Sequence, residues 1–404
     1  MSSQPSAVRR PPVWYLFSVT GAGILANTMI TPNVPDVLAD FDRSAGSAGI
    51  LVGSGALPGV VMAPVIGILA DRLGRKRVLL PCLVVFAVGA LLAAVAPSFW
   101  AVIAGRLIQG VGGAGMINLA IVLIGDHWTG LERTRLIGRN SAVLTGLLAT
   151  MPSLSGGIAE LSSWRASVAV GVLAFPVAVM GWFLLPDTRP GTVRTLRDQL
   201  RAAAVEVRRP TMTVTFVAGF CLFLVIFGVF LTALPVHLEE QFGLGPGARG
   251  LLLSVPALGA VLVSFNLGPI RGVVALRPLL VATSLAIALA ALGVALAPTL
   301  VLVVVALLLY GFGDGAVIPA LQDVASSVPP PEQRAAVMAA WVSAVRLGQA
   351  VGPVGAALLF AATSTSVAMS VGAVIFAAVA VLFLFGPVDD AVIAEAGARH
   401  QGEA

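Results

Sequence analysis

Cysteine is almost missing from this 404-residue chain, which holds two, Cys82 and Cys221. Both fall inside apolar runs, which excludes a disulfide framework or a cysteine metal centre as the organising device. The three histidines, His127, His237 and His400, are scattered and lack the short spacing of metal ligands. No GxxxxGK[ST] loop is present to cradle a phosphate, so ATP is not the evident energy source. Charge is scarce as well: 11% of the residues are Asp, Glu, Lys or Arg, against 58% hydrophobic.

What is abundant is apolar length. A mean hydropathy of +0.99 exceeds what one soluble core of this size can bury, and it places the chain in a bilayer. A helix crossing a hydrocarbon layer roughly 30 Å thick needs about 20 mostly apolar residues. Cut at charges and at Pro/Gly clusters, the sequence offers six such spans near 14–34, 48–70, 78–96, 100–125, 139–159 and 164–185. Six more follow near 211–236, 250–270, 278–297, 299–324, 335–359 and 364–385. The runs are continuous, whereas barrel strands would alternate apolar and polar residues. The expectation is an all-α membrane protein with twelve transmembrane helices, and not an enzyme.

Lys and Arg stay on the cytoplasmic side during insertion. With both termini inside, 19 of the 24 basic residues fall on cytoplasmic segments. Only Arg43, Arg165 and Arg249 lie outside, while Arg106 and Arg346 fall within spans. This asymmetry predicts a multi-pass protein of the cell membrane with both termini cytoplasmic. It also accounts for the net charge of +5 without a nucleic-acid partner. Residues 14–34 lack a small-residue cleavage site and read as a retained helix.

Sliding the chain over itself by 201 residues pairs Gly49 with Gly250, Gly67 with Gly268, Pro97 with Pro298, Gly110 with Gly311, Gly112 with Gly313, Arg133 with Arg334 and Pro152 with Pro353. Coincidences of Gly, Pro and Arg at one constant offset indicate an internal repeat of six helices. Two parallel six-helix halves are one transporter architecture, with the substrate site at their interface near the midplane. The halves are then residues 1–185 and 211–404, joined by a basic linker, 186–210, carrying Arg189, Arg194, Arg197, Arg201, Arg208 and Arg209. Its stretch 193–209 reads either as an amphipathic helix on anionic headgroups or as a solvated loop.

The densest charge lies in "GILADRLGRKRV", residues 67–78, between the second and third spans. Gly67, Asp71, Arg72, Gly74, Arg75, Lys76 and Arg77 resemble the G-x-L-a-D-R-x-G-R-[KR] signature of the major facilitator superfamily. Without the family, Gly67 suits close helix approach, Gly74 a tight turn, and the basic run a cytoplasmic position. The resemblance implies that Asp71 packs against the start of the eleventh helix, where the helix dipole favours an anion. It also pairs Arg75 with Asp126, forming a latch between halves that breaks when the cytoplasmic side opens. Arg106, followed by Gln109, Gly110 and Gly112, resembles the fourth-helix motif whose arginine is implicated in proton coupling; a charge at that depth should pair or face a cavity. Pro152, Gly156 and Gly157 resemble the fifth-helix motif of proton-driven antiporters, with Met151 and Ser155 standing at two of its glycine positions. The repeat-related stretch with Gly352 and Pro353 keeps that pattern in the eleventh span. Both prolines also read simply as helix kinks.

In the family the first, fourth, seventh and tenth spans line a central cavity, which makes Asn27, Thr28, Asn118 and Asp314 candidates. Asp314 lies mid-span, where a carboxylate is costly to hold charged, as suits a proton carrier. Arg346 is either its permanent structural partner or one that releases it during the cycle. Phe216, Phe220, Phe223, Phe227 and Phe230 form a greasy face for a ligand or a packing stripe. The first span carries no acid in its cavity half, so neutral or weakly anionic compounds are as well suited as lipophilic cations. The resemblance implies a proton-coupled exporter of small amphipathic compounds such as drugs or secondary metabolites, working as a monomer without a cofactor on the proton gradient. The alternatives are a facilitator or importer of a polar metabolite and a non-transporting membrane sensor.

Overall fold

The computed structural model describes residues 10–186, 208–330, 333–388 and 390. Most of the basic linker and the end of the chain lie outside the described residues, and with them the expected helix at 193–209. Twelve helices are long and apolar enough to cross a membrane. In chain order they are α1 (Val13–Asp40), α2 (Ala45–Leu73), α3 (Arg75–Ala94), α4 (Phe99–His127), α5 (Gly130–Leu161), α6 (Trp164–Leu184), α7 (Pro210–Phe242), α8 (Pro246–Val273), α9 (Leu276–Leu296), α10 (Leu300–Ser327), α11 (Val337–Ala362) and α12 (Thr365–Phe385). No strand occurs among the described residues.

Local chemistry sets the ends. Gly74, between α2 and α3, has φ of 94°, a conformation that a side chain would strain. Ser163 caps α6 by accepting from the Ala166 N–H, and Ser364, 201 residues on, caps α12 by accepting from Val367. Each such cap is worth about 0.5–2 kcal/mol. α5 starts nine residues before the expected position, because its first turns carry Glu132, Arg133, Arg135 and Arg139 and stand beyond the apolar stretch. Glu132 there pairs with Arg10 at 3.4 Å.

Several helices are irregular near the middle. α1 breaks at Thr31–Asn33, next to Pro32 and Pro35. The Met29 carbonyl at the break accepts from Ser155 on α5 at 2.9 Å and from Ser167 on α6 at 3.0 Å. α4 is interrupted at Ala114 and Gly115, between its segments Phe99–Gly113 and Met116–His127. α7 widens into a π-helix over Ile226–Ala233, where Thr232 donates to the Phe227 carbonyl at 2.7 Å.

The repeat in the sequence is a repeat of backbone contacts. In the first half, Gly110 on α4 lies against the Gly55 carbonyl of α2, and Gly112 against Cys82 and Phe86 of α3. In the second half, Gly311 on α10 meets the Pro256 carbonyl of α8, and Gly313 meets Thr283 and Ile287 of α9. Every partner is displaced by the same 201 residues. Glycines two apart thus serve two different neighbours, and a methyl group at either would collide with a main chain.

The same symmetry joins the halves. Gly49 on α2 rests on the Pro353 carbonyl and Ala357 of α11, while Gly250 on α8 rests on the Pro152 carbonyl and Gly156 of α5. Both seams lie toward the end opposite the Arg72–Arg77 run, called here the far end; the other is the basic end. One buried apolar cluster joins the far end of the first half, with Ile30, Leu51, Phe99 and Trp164, to the second half, which it follows from Leu238 at the far end through Ile287 and Phe376 to Met212 at the basic end. A separate cluster around Leu16, Leu79, Phe86 and Leu123 fills the basic end of the first half alone. The molecule is therefore closed at the far end, with a crevice between the halves open at the basic end. Among the described residues no other helix comes within 4 Å of where a Cβ on Gly67 would stand, so the close approach expected of it is not made in this conformation.

Gly311→Ala is expected to destabilise the fold by about 1–3 kcal/mol through overpacking inside one half. Gly250→Ala should instead loosen the seam between halves with little effect on folding, and Gly157→Ala, which meets nothing, should be neutral. Thermal melts of the purified variants, with spin-label distances across the far end, check all three.

Candidate functional site

Four charged clusters lie between or beside the halves. At the basic end, Arg75 is hydrogen-bonded to Asp71, and its Nε donates to Asp126 Oδ2 at 3.2 Å. Asp126 ends α4, so this is the pairing the resemblance implies, drawn within the first half. Asp71 is bonded to Arg75 within its own half, and Arg72 is exposed. Residues 331–332, before α11, lie outside the described residues.

Arg106 is fully buried. It donates to the carbonyls of Ala26 at 2.5 Å, Leu51 at 3.0 Å and Val52 at 3.4 Å, and to the side chains of Asn27 at 3.2 Å and Gln109 at 3.3 Å. All these acceptors are neutral. One arginine thereby ties α4 to α1 and α2, and Asn27, expected in the cavity, is committed to it. Thr28 also turns inward, donating to the Ile24 carbonyl at 3.1 Å.

The centre of the second half holds Asp314. Its Oδ1 is sealed from solvent and has no hydrogen-bond partner among the described residues. One turn earlier on α10, Tyr310 stacks on Phe230 with ring centroids 3.7 Å apart, a contact made by the π-helical part of α7. Arg346 does not pair with Asp314 here; its Nη2 donates across the crevice to the Ala114 carbonyl of α4 at 3.3 Å. A permanent Asp314–Arg346 pair is therefore not the arrangement of this conformation. Asn118, also on α4, is exposed. Of the phenylalanine stripe, Phe216 packs edge-on against Trp341, Phe227 is buried, and Phe223 packs against the same core. That is the packing alternative for most of its length.

The fourth cluster, at the far end, was not legible as a site. Arg249, in the first turn of α8, is 1% exposed and donates to Asp36 of α1 at 2.5 Å. Glu239 of α7 stands 3.9 Å from its Nη1, and Glu160 of α5 accepts from the Gly247 N–H at 3.1 Å. Ser153 on α5 donates to Ser254 on α8 at 2.7 Å. The bonds of Glu160 and Ser153 cross between the halves along the α5–α8 seam, and that of Arg249 crosses beside it to α1. The available signal was a departure from the repeat, since Ala48 stands where the second half has Arg249. Among the described residues no group of three or more His, Cys, Asp or Glu could hold a metal ion.

The family model described as Major Facilitator Superfamily matches residues 16–340 and 215–402. The class G tetracycline resistance protein of Vibrio anguillarum is 28% identical over 353 residues, covering 86% of this chain and 89% of that one. The bacillibactin exporter of Bacillus subtilis is 26% identical over 280 residues, covering 63% and 65%. Against several other curated relatives the match spans a minor part, such as 24% of a Metarhizium majus MFS-type transporter at 35% identity. Among solved structures, a bacterial homologue of the human lysosomal transporter Spinster, inward-facing and unoccupied, aligns with a TM-score of 0.72 at 17% identity over 100% of this chain and 99% of its own. With the model matched over most of its length, the twelve-helix chain belongs to the Major Facilitator Superfamily, a family of transporters and not of enzymes.

Proposed function

We propose that the protein is a proton-coupled exporter of small amphipathic compounds, working by alternating access in the cell membrane with its basic end and both termini in the cytoplasm. The observation that carries this reading is Asp314, a mid-membrane carboxyl with one oxygen sealed and no ion pair among the described residues. An acid so placed is held more cheaply with its proton than without it, and it sits on a helix that borders the crevice. Relatives named a tetracycline resistance protein and a bacillibactin exporter support the outward direction. The Lys and Arg bias supports the orientation.

Arg106 contributes by holding α1, α2 and α4 as one body rather than by exchanging protons, because its acceptors are neutral and enclosed. The basic-end charges act when the crevice closes. Asp71 and Asp126 hold Arg75 in place within the first half, and closure brings that cluster against the start of α11. The far-end charges act in the opposite phase. Opening there must separate Arg249 from Asp36, a charge-assisted bond of the kind worth about 1.5–3 kcal/mol.

Three outcomes test this reading. In inside-out vesicles holding a pH gradient, neutral, anionic and cationic amphiphiles are added in turn and proton release is followed by fluorescence dequenching. Asp314→Asn should abolish that release while leaving substrate counterflow intact; proton release at the wild-type rate in this variant places coupling elsewhere, and transport by the wild type without any proton requirement makes the protein a facilitator. Asp71→Asn should slow turnover several-fold with expression and ligand affinity unchanged, and wild-type turnover would remove the latch. Arg249→Ala should raise labelling of a cysteine introduced at the far-end seam, and unchanged labelling would show that the bridge does not hold that end shut.

A further inference from the structure

Arg346 is rooted in α11, in the second half, yet its guanidinium lies against the first. Nη2 donates to Ala114 at 3.3 Å, and Nη1 sits 3.0 Å from where a Cβ on Gly59 of α2 would stand. No carboxylate pairs with it among the described residues. Among the described residues its Nε and Nη1 make no hydrogen bond, but they are not among the polar atoms sealed from solvent, as Asp314 Oδ1 and two Arg249 nitrogens are. An unpaired cation at this depth is costly unless it faces a water-filled crevice, and such residues mark ligand pathways.

Ala114 is also where α4 breaks, which is why its carbonyl is turned toward the other half. Gly115 permits the break, since a side chain there would run into Ile66. Non-helical backbone at membrane depth is tolerated where it lines a cavity, and discontinuous helices build midplane ligand sites in transporters. On the next turn, about 6 Å toward the basic end, Asn118 is exposed and its amide has no hydrogen bond among the described residues. A cation of the second half and an amide donor of the first thus border one open crevice.

We propose that Arg346 and Asn118 form the site for the acidic group of an amphipathic organic anion, a carboxylate or phenolate entering from the basic end. The second hydrogen of Nη2, with the Nε–H or Nη1–H beside it, offers two parallel donors, which suits a carboxylate bidentately as an ammonium would not. The Asn118 amide donates from the opposite half, so the bound anion bridges α4 and α11 and neutralises the cation between them. Asp314, with Oδ1 sealed, stays out of this contact. The site names the substrate class of the exporter proposed above and rests on that reading.

The test is equilibrium binding to the purified protein in nanodiscs, without a gradient, of dansylglycine and dansylglycinamide, which share a fluorophore and differ by one negative charge. The wild type should bind the carboxylate about tenfold more tightly than the amide, a difference of about 1.4 kcal/mol. Arg346→Gln should bring the two affinities together without weakening the amide, which also shows that the variant is folded. Arg346→Lys should keep part of the preference, and Asn118→Ala should lower carboxylate affinity several-fold. A wild type that binds the probes alike or binds neither overturns the site, as does an Arg346→Gln variant that keeps the preference. Anion preference intact in a protein that releases no protons in vesicles upholds the site and overturns antiport alone.

Discussion

Backbone contact at glycine is the constraint on which this molecule depends. In a bilayer the lipid is as apolar as the side chains, so helices gain little from hiding leucine and must gain it from close packing. Here that packing is made main chain to main chain: Gly110 to Gly55, Gly311 to Pro256, Gly49 to Pro353 and Gly250 to Pro152. The first two contacts build the halves and the last two join them. Because each pair is the image of the other at 201 residues, whatever geometry lets one half pack lets the other pack, and whatever lets one seam close lets its partner close.

That symmetry explains which features were legible in advance. A continuous apolar run reports a helix, and Gly or Pro at a constant offset reports a repeat, so the twelve helices and the paired halves followed from residues such as Gly110, Gly311, Pro152 and Pro353. The charged first turns of α5 escaped notice because hydropathy registers the membrane and not the helix that projects beyond it. The π-helical turn of α7 and the break at Ala114 escaped because no residue type demands them. Gly67 shows a different limit: its suitability for close approach can be read from its lack of a side chain, but whether the approach is made depends on which end of the crevice is open.

The interior charges follow an opposite rule. Arg106 stands where the second half has Leu307, Asp314 where the first half has Gly113, Arg249 where it has Ala48 and Arg346 where it has Thr145. Each is a place where the repeat is broken. Packing needs the two halves alike, and the function proposed above needs them unlike, since a proton carrier, an anion site and a gate would each be needed once. Sequence reasoning found Asp314 and Arg346 as isolated charges in apolar spans, and comparison with the repeat would have added Arg249.

The two seams inherit this difference. Along α2 and α11 the contact at Gly53 is with the Ala350 carbonyl and the apolar side chains of Pro353 and Val354. Along α5 and α8 the repeat-related positions are Ser254 and Ser153, which are hydrogen-bonded to each other, with Glu160 on the Gly247 N–H and Arg249 on Asp36 close by. Equivalent backbones thus carry unequal bonds. Separating apolar surfaces into lipid or water is gradual, whereas a buried guanidinium either has its carboxylate or stands uncompensated. In the cycle proposed above, the far end is therefore held by one yielding seam and one that would open all at once. A threshold of that kind is what a two-state carrier requires if its crevice is not to stand open at both ends.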